Sequence, residues 1–242
     1  MTAPQFAREI LGLRNGVPNN ADVDSETSKA IAAEMLRMLG VTRTVVPRED
    51  AGKALEVGVR DYLAADLPSR EPSKTWEVER RRLITEFDQY RHLARLDRMI
   101  EEDETGTLGV EIGRDYLIKP DVTVGVILNA DEPPVLHAAI SCKWTIRSDR
   151  VQNIRHEGIT LTRHRRGRQP HIVTVTAEPL PSRLAAIARG TGEVDAVYHI
   201  AFEELIAATK VAGTAEQKKV LDELITQNRL EDFLRLPVVL AV

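Results

Sequence analysis

Apolar positions along the chain change their spacing near its middle. From Ser25 to Gly40, SETSKAIAAEMLRMLG, they recur every three to four residues behind a capping pattern and stop at a glycine, which predicts a helix. Ala51 to Leu67, AGKALEVGVRDYLAADL, repeats that spacing. Ser73 to Asp103, SKTWEVERRRLITEFDQYRHLARLDRMIEED, is expected to form one long amphipathic helix or a kinked pair. Beyond about Asp103 the apolar runs shorten to β-type segments: DYLIKPDVTVGVIL, VLHAAISCKW, PHIVTVTAE and DAVYHIAF. Helical segments separate or follow them, at about Asp149 to His164, in SRLAAIA and twice near the C-terminus. Strands alternating with helices behind a helical opening predict an α/β fold with a mixed central β-sheet flanked by helices. No internal repeat or low-complexity linker divides the chain. A single domain is therefore expected over residues 1–242, mainly helical in 1–105 and an α/β core in 106–242.

Composition narrows the class. Of the 242 residues, 43% are hydrophobic but only 4% aromatic, so aliphatic side chains must supply the core. The opening MTAPQFAREILGLRNG is too polar for a signal peptide, and no apolar run approaches the ~18 residues of a membrane span. A soluble cytoplasmic protein with no membrane partner is expected. The single cysteine, Cys142, excludes an intramolecular disulfide framework and a cysteine-rich zinc site.

A net charge of −4 argues against a general polyanion binder, but the charge is unevenly placed. Between Lys143 and Arg168 stand eight Lys or Arg residues against two acids, Asp149 and Glu157. Either a DNA site that depends on docked geometry or a solvated helix face produces such a run.

The candidate chemistry lies at the edge of that segment. IKPDVTV places Asp121 behind a proline, where one strand-like run passes into the next, and ISCK places Lys143 at the end of the following strand. If those strands pair as neighbours, Asp121 and Lys143 meet at one end of the sheet. A carboxylate there can hold Mg²⁺, and a lysine can position or deprotonate an attacking water. This is the PD-(D/E)xK arrangement of metal-dependent phosphodiesterases, with one departure: Ser141 stands where an acid usually does. On a following helix, Arg150, Asn153 or Ile154, and Glu157 share one face, so Glu157 could supply the missing carboxylate. From the residues alone, Asp121 also reads as a turn residue, Glu157 as a surface acid and Cys142 as buried packing.

SCKWTIRSDR with the following N, R and EG, then PHIV.VTAEP.PSR and GTGE.D.VYH, resembles the NgoMIV family of type II restriction endonucleases, which cut GCCGGC. The resemblance runs from about Asn20 to the C-terminus and is densest from Leu136 to Ala201. It implies that Asp121 is the metal-binding aspartate, Lys143 the catalytic lysine, Glu157 the displaced acid, and Cys142 the residue whose main-chain carbonyl touches metal. It further implies that Glu56 is an acid brought from an N-terminal helix. By itself Glu56 reads as a helix-surface glutamate.

The same resemblance gives roles to the basic segment. Arg147 and Arg150 match a pair that reads guanines of the inner CCGG, a task suited to a guanidinium that donates twice to O6 and N7. Asp149 matches an acceptor for cytosine amino groups; a structural salt bridge is its other reading. Asp22 and Arg183 match residues that read the outer G·C pair, with a loop role and a helix-capping neighbourhood as alternatives. Glu49 stands where relatives carry a glutamine facing the minor groove. NADEPPV replaces a much longer insertion implicated in tetramer assembly, so a homodimer on one palindromic site is expected, with a tetramer as the alternative. The helix expected from Ser73 to Asp103 is a candidate dimer interface.

The expected activity is Mg²⁺-dependent hydrolysis of double-stranded DNA at GCCGGC, leaving 5′-phosphates and CCGG overhangs, with Mn²⁺ substituting. Two other classes stay open: a repair or junction nuclease that cuts by DNA structure, and a non-catalytic DNA-binding module. In the first the GCCGGC sequence would be ignored; in the second Asp121, Lys143, Glu56 and Glu157 would be dispensable.

Overall fold

VTVGVI and VLHAAISCK are apolar runs that suit strands covered on both faces. In the computed structural model, which describes residues 3–45, 50–190 and 192–242 apart from the side chains of Ser148 and Asp149, they are inner strands of one mixed sheet. The chain begins with α1 (Gln5–Ile10), the small hairpin β1 (Leu13–Arg14) and β2 (Val17–Pro18), and the helices α2 (Glu26–Leu39) and α3 (Ala51–Arg70). It continues through β3 (Thr75–Arg80), α4 (Arg91–Glu101), α5 (Thr107–Ile112), β4 (Val122–Ile127), β5 (Val135–Lys143) and α6 (Ser148–His164). The last part holds β6 (His171–Thr176), α7 (Pro181–Ala188), β7 (Ala196–His199), α8 (Phe202–Ala212), α9 (Ala215–Thr226), β8 (Leu230–Asp232) and α10 (Leu236–Leu240).

Local chemistry sets the helix ends. Ser25 accepts from the Ser28 amide to start α2, and Gly40 closes it in the left-handed conformation at φ 66°. Asp50 caps α3 through the Lys53 amide, and Thr214 caps α9 through that of Gln217. The sheet order is β3-β4-β5-β6-β7-β8, with β3, β4 and β5 antiparallel and β5 through β8 parallel. The two faces of the sheet bury different clusters. Ala138, Ile140 and Cys142 of β5 join the larger one with α2, α3, α7 and α8, whereas Leu136 and Ala139 join a smaller one built on Phe87, Tyr90 and Leu93. α6 reaches both, through Val151 and Ile154 in the larger and Leu161 in the smaller. Among the described residues no helix is long and apolar enough to cross a membrane.

One expected element is absent. Ser73 to Asp103 is not a long helix: residues 75–80 are an edge strand, residues 84–86 and 88–90 are short 3₁₀ turns, and only Arg91–Glu101 is α-helical. TWEVER alternates, with Trp76 and Val78 packed against the larger core, so its period is two. Its Glu and Arg residues imitate the charge pairs of a helix, and the partner strand β4 lies far along the chain. Without that helix, the interface suggested for it loses its basis. DYLIKP is likewise not strand: Tyr116 and Ile118 are buried from a coil, and β4 starts only after Pro120, which has no amide to donate to a ladder. α1, the β1–β2 hairpin, α5 and β8 were not legible as separate elements.

One histidine links this core to pH. His137 is 3% exposed and donates through Nε2 to the Leu240 carbonyl oxygen at 2.8 Å, and burial pushes it down to about 4. A depressed folded value means the stability His137 contributes is complete above its ordinary 6.5 and is lost as pH falls through about 4. The unfolding free energy of wild type relative to His137→Gln should therefore fall by up to about 3 kcal/mol between pH 7 and pH 4 in urea titrations. A pH-independent difference would show that His137 does not titrate with folding.

Candidate active site and base-reading surface

Pro120 leaves Asp121 just ahead of β4, and the antiparallel register pairs Val122 with Ile140. That register carries the Asp121 side chain to the last residues of β5. Its Oδ2 accepts from the Cys142 amide at 2.8 Å and from Lys143 Nζ at 2.6 Å. The two side chains of this ion pair are each 18% exposed, so the charges face a cleft and not open water. Both of these bonds fall on Oδ2; among the described residues Oδ1 accepts none.

Glu157 approaches from α6, where its carboxylate accepts from Ser141 Oγ at 3.1 Å. Ser141 thus fills the usual acid position with a hydroxyl that holds the helix acid in place. Burial raises the Glu157 carboxyl above the ordinary glutamate value, and the Asp121 charge adds to that rise against the opposing pull of Lys143. Gly158 lets α6 pack against the segment before β7, where a Cβ would sit 2.4 Å from the Glu193 carbonyl oxygen.

Glu56, on α3, is 6% exposed and lines the same cleft of about 400 Å³ as Asp121, Cys142, Lys143 and Arg150. It is held by two arginines that sequence reasoning missed. Arg80 donates through Nε at 3.2 Å and NH2 at 2.5 Å, and Arg81 through Nε at 3.2 Å and NH2 at 3.0 Å. Burial alone would raise the Glu56 carboxyl, but hydrogen bonds and charge from Arg81 and Arg80 outweigh it and hold it below the ordinary value. Arg81 turns back into the site through a left-handed backbone at φ 55°, unusual for a residue with a side chain, and its amide donates to the Asp121 carbonyl oxygen at 3.3 Å. The only signal for the pair was the run ERRRL, which reads as a charged helix face.

Among the described residues no group of three or more His, Cys, Asp or Glu is arranged to hold a metal ion. Each carboxylate is instead turned toward a neighbour: Asp121 toward Lys143, Glu56 toward Arg80 and Arg81, and Glu157 toward Ser141. The donor set nevertheless fits a hard cation. It consists of oxygens; among the described residues Asp121 Oδ1 accepts no hydrogen bond, and burial, with the Asp121 charge adding to it, raises the Glu157 carboxyl, a burden that a nearby cation would relieve.

A second cleft, of about 580 Å³, opens beside the first. It is lined by Asp22, Arg147, Val151 and Arg183, among others, and Arg147 is exposed at the start of α6. Asp22 forms an ion pair with Arg183 NH2. The Asp24 amide, and after it Arg183, hold the Asp22 carboxyl below the usual aspartate range. Arg150 turns the other way, donating to the Thr145 carbonyl oxygen at 2.7 Å on the rim of the first cleft. The structure thus gathers Asp121, Cys142, Lys143, Glu56 and Arg150 around one cleft and Asp22, Arg147 and Arg183 around the next, while Glu157 stands behind the first cleft on Ser141. The side chain of Asp149 and all of Glu49 lie outside the described residues.

The NgoMIV restriction enzyme family matches the chain over residues 7–133 and 125–242. The type II restriction enzyme NgoMIV of Neisseria gonorrhoeae is 37% identical over 269 aligned residues, covering 96% of this chain and 93% of the relative. The two family segments overlap at the connection between β4 and β5, and the aligned length exceeds the 242 residues of this chain. The relative therefore carries residues that this chain lacks. Enzymes of this type generally use a divalent metal.

Removing one arginine from Glu56 leaves a buried carboxylate short of donors. Arg80→Met should lower the unfolding free energy by about 1–3 kcal/mol in urea titrations. Adding Glu56→Gln should recover part of that loss. Additive effects in the double-mutant cycle would show that the pair does not interact.

Proposed function

We propose, for a chain that belongs to the NgoMIV restriction enzyme family and is a site-specific nuclease, that it cuts both strands of GCCGGC as G/CCGGC. The products carry 5′-phosphates and CCGG overhangs. The observation that carries this reading is the meeting of Asp121 with Lys143, 2.6 Å apart at the ends of neighbouring strands, on the same cleft as Arg150 and one helix start from Arg147.

Asp121, the Cys142 carbonyl, Glu157 and Glu56 would hold Mg²⁺, with Mn²⁺ able to take its place. When bound, the ion supplies a Lewis acid that makes water a better nucleophile near neutral pH and offsets charge on the phosphate. Lys143 orients the attacking water in line with the leaving group. The water oxygen forms a bond to phosphorus as the P–O3′ bond breaks, which leaves a 3′-hydroxyl and a 5′-phosphate. Before that step Lys143 must share or leave its bond with Asp121, and the charge on the scissile phosphate gives it a second anion to bind.

Recognition divides between the two clefts. Arg147 and Arg150 read guanines of the inner CCGG, Asp149 accepts from cytosine amino groups, and Asp22 with Arg183 reads the outer pair. Reading and cutting stand on consecutive residues of one strand–helix unit, so base contacts fix the scissile phosphate over the acids. A palindrome read this way calls for two copies related by a two-fold axis, and we assign a homodimer acting in the cytoplasm. The short link from β4 to β5, with two prolines and an Asn129 Nδ2 to Glu132 Oε2 bond at 2.9 Å, supports a dimer over a tetramer.

Plasmids with none, one or two GCCGGC sites, and a control with CCGG only, test the reading in the presence of Mg²⁺. Cutting should be confined to GCCGGC, at similar rates on one and two sites. Faster cutting of the two-site plasmid would replace the dimer by a tetramer. Cutting at junctions or flaps irrespective of sequence would replace sequence recognition by structure recognition. Lys143→Ala should lower cleavage by about 10²–10⁴-fold while gel-shift binding to GCCGGC is kept. Unchanged cleavage in that variant would remove Lys143 from the mechanism.

A further inference from the structure

A carboxylate with no exposed surface stands between the base-reading segments. Glu178 is 0% exposed and lies between β6 and α7. Its Oε2 accepts from the Ile146 amide at 2.8 Å, one residue before Arg147. Its Oε1 accepts from the Leu180 amide at 3.1 Å, at the cap of the helix that carries Arg183. The same Oε2 lies 3.9 Å from Arg183 NH1, and Arg183 is in turn paired with Asp22.

We infer that Glu178 is a positioning residue that sets the inner and outer base readers at a fixed spacing, so that six base pairs are read as one unit; this rests on the reading that Arg147 and Arg183 contact bases. Taking a carboxylate out of water costs several kcal/mol unless its oxygens are used, so a fully buried Glu178 is costly as mere filler. Both oxygens are used, and they pull on different segments. Because the carboxylate is one rigid plane, the amide before Arg147 and the amide before α7 cannot drift independently. Neighbouring bonds complete the bracket around it. Asn20 Nδ2 donates to the Ala177 carbonyl oxygen at 2.9 Å, and Trp144 Nε1 donates to that of Asn19 at 2.9 Å. The segment that carries Asp22 is thereby tied to both of the others. Glu178 touches no base in this scheme and acts through Arg147 and Arg183.

The test compares kcat/KM on a GCCGGC duplex with that on a duplex altered only at the outer pair. Glu178→Gln keeps the shape but sets an amide N–H₂ against a backbone N–H, and Glu178→Asp keeps the charge but cannot span both amides. In each, the preference for GCCGGC should fall at least about 10-fold, with the larger part of the loss in KM, because a mispositioned guanidinium loses its two-bond contact with a base. Arg183→Ala on these duplexes, and Arg147→Ala on a duplex altered within the inner CCGG, serve as the reference. If neither changes base preference, the proposed readers are wrong. If they do change it but both Glu178 variants keep wild-type preference, the inference about Glu178 falls. Should the variants not fold, amide exchange in wild type decides. Protection of the Ile146 and Leu180 amides is expected, and free exchange at either one would overturn the bracket.

Discussion

Everything at the catalytic end of the molecule depends on how Asp121 crosses from one strand to the next. Its Oδ2 takes the Cys142 amide and the Lys143 ammonium together, at 2.8 and 2.6 Å, and so locks the start of β4 against the end of β5. The antiparallel register between Val122 and Ile140 makes this the only place where the aspartate can reach both. A slip of one residue would turn Asp121 to the face that Val122 and Ile140 occupy and set a carboxylate against the apolar side chains of the larger cluster. The apolar content of the two strands and the position of the ion pair are therefore one constraint. From that fixed point the chain runs straight into α6, so the helix inherits its placement from the strand, and Glu157 and Arg147 inherit theirs from the helix.

Charge balance explains the resting arrangement. Asp121 and Glu56 line a small cleft and Glu157 lies behind it on Ser141, and without a cation each must find another counter-charge or a hydroxyl. Lys143 serves Asp121, Ser141 serves Glu157, and Arg80 with Arg81 serves Glu56. The partners differ in what they can do next. Arg80 is 22% exposed and lies on β3, whereas Arg81 is 62% exposed. In the proposed function, a cation entering the cleft would compete with these pairs, and a DNA backbone would compete for the same arginines and lysine.

Legibility in the sequence followed the range of the interaction. Asp121 and Lys143 could be paired from a strand pattern and a spacing, since the two strands are consecutive and hydrogen-bonded. Helix geometry offered Glu157 with a surface acid as its other reading, and its role came from likeness to a family. Glu56, Asp22 and Arg183 had no local signal and came only from likeness to a family; the partners that single them out lie on other elements, such as Arg80 for Glu56 and Arg183 for Asp22. β3 failed for a related reason. Its alternation of Trp76 and Val78 with Glu77 and Glu79 is short and charged, and the evidence for a strand is its pairing with β4. Glu178 could not be recognised either, because PHIVTVTAEP offers no hint that its acid is fully buried with both oxygens occupied.

The same long-range contacts account for why an acidic chain can carry a DNA site. The basic residues after Lys143 are not a diffuse cloud, since several are already committed within the protein. Arg150 bonds to the Thr145 carbonyl oxygen, Arg155 to that of Ala186, and Arg165 to that of Thr162. Such internal bonds remove conformational freedom from side chains that would otherwise lose it on binding. They also spend part of the positive charge inside the protein, which weakens attraction to arbitrary DNA more than attraction to a groove with matching acceptors. With a net charge of −4 opposing non-specific association, the proposed function places specificity on the positions of a few guanidinium groups. In that reading the buried carboxylates and backbone carbonyls behind them are what hold those positions.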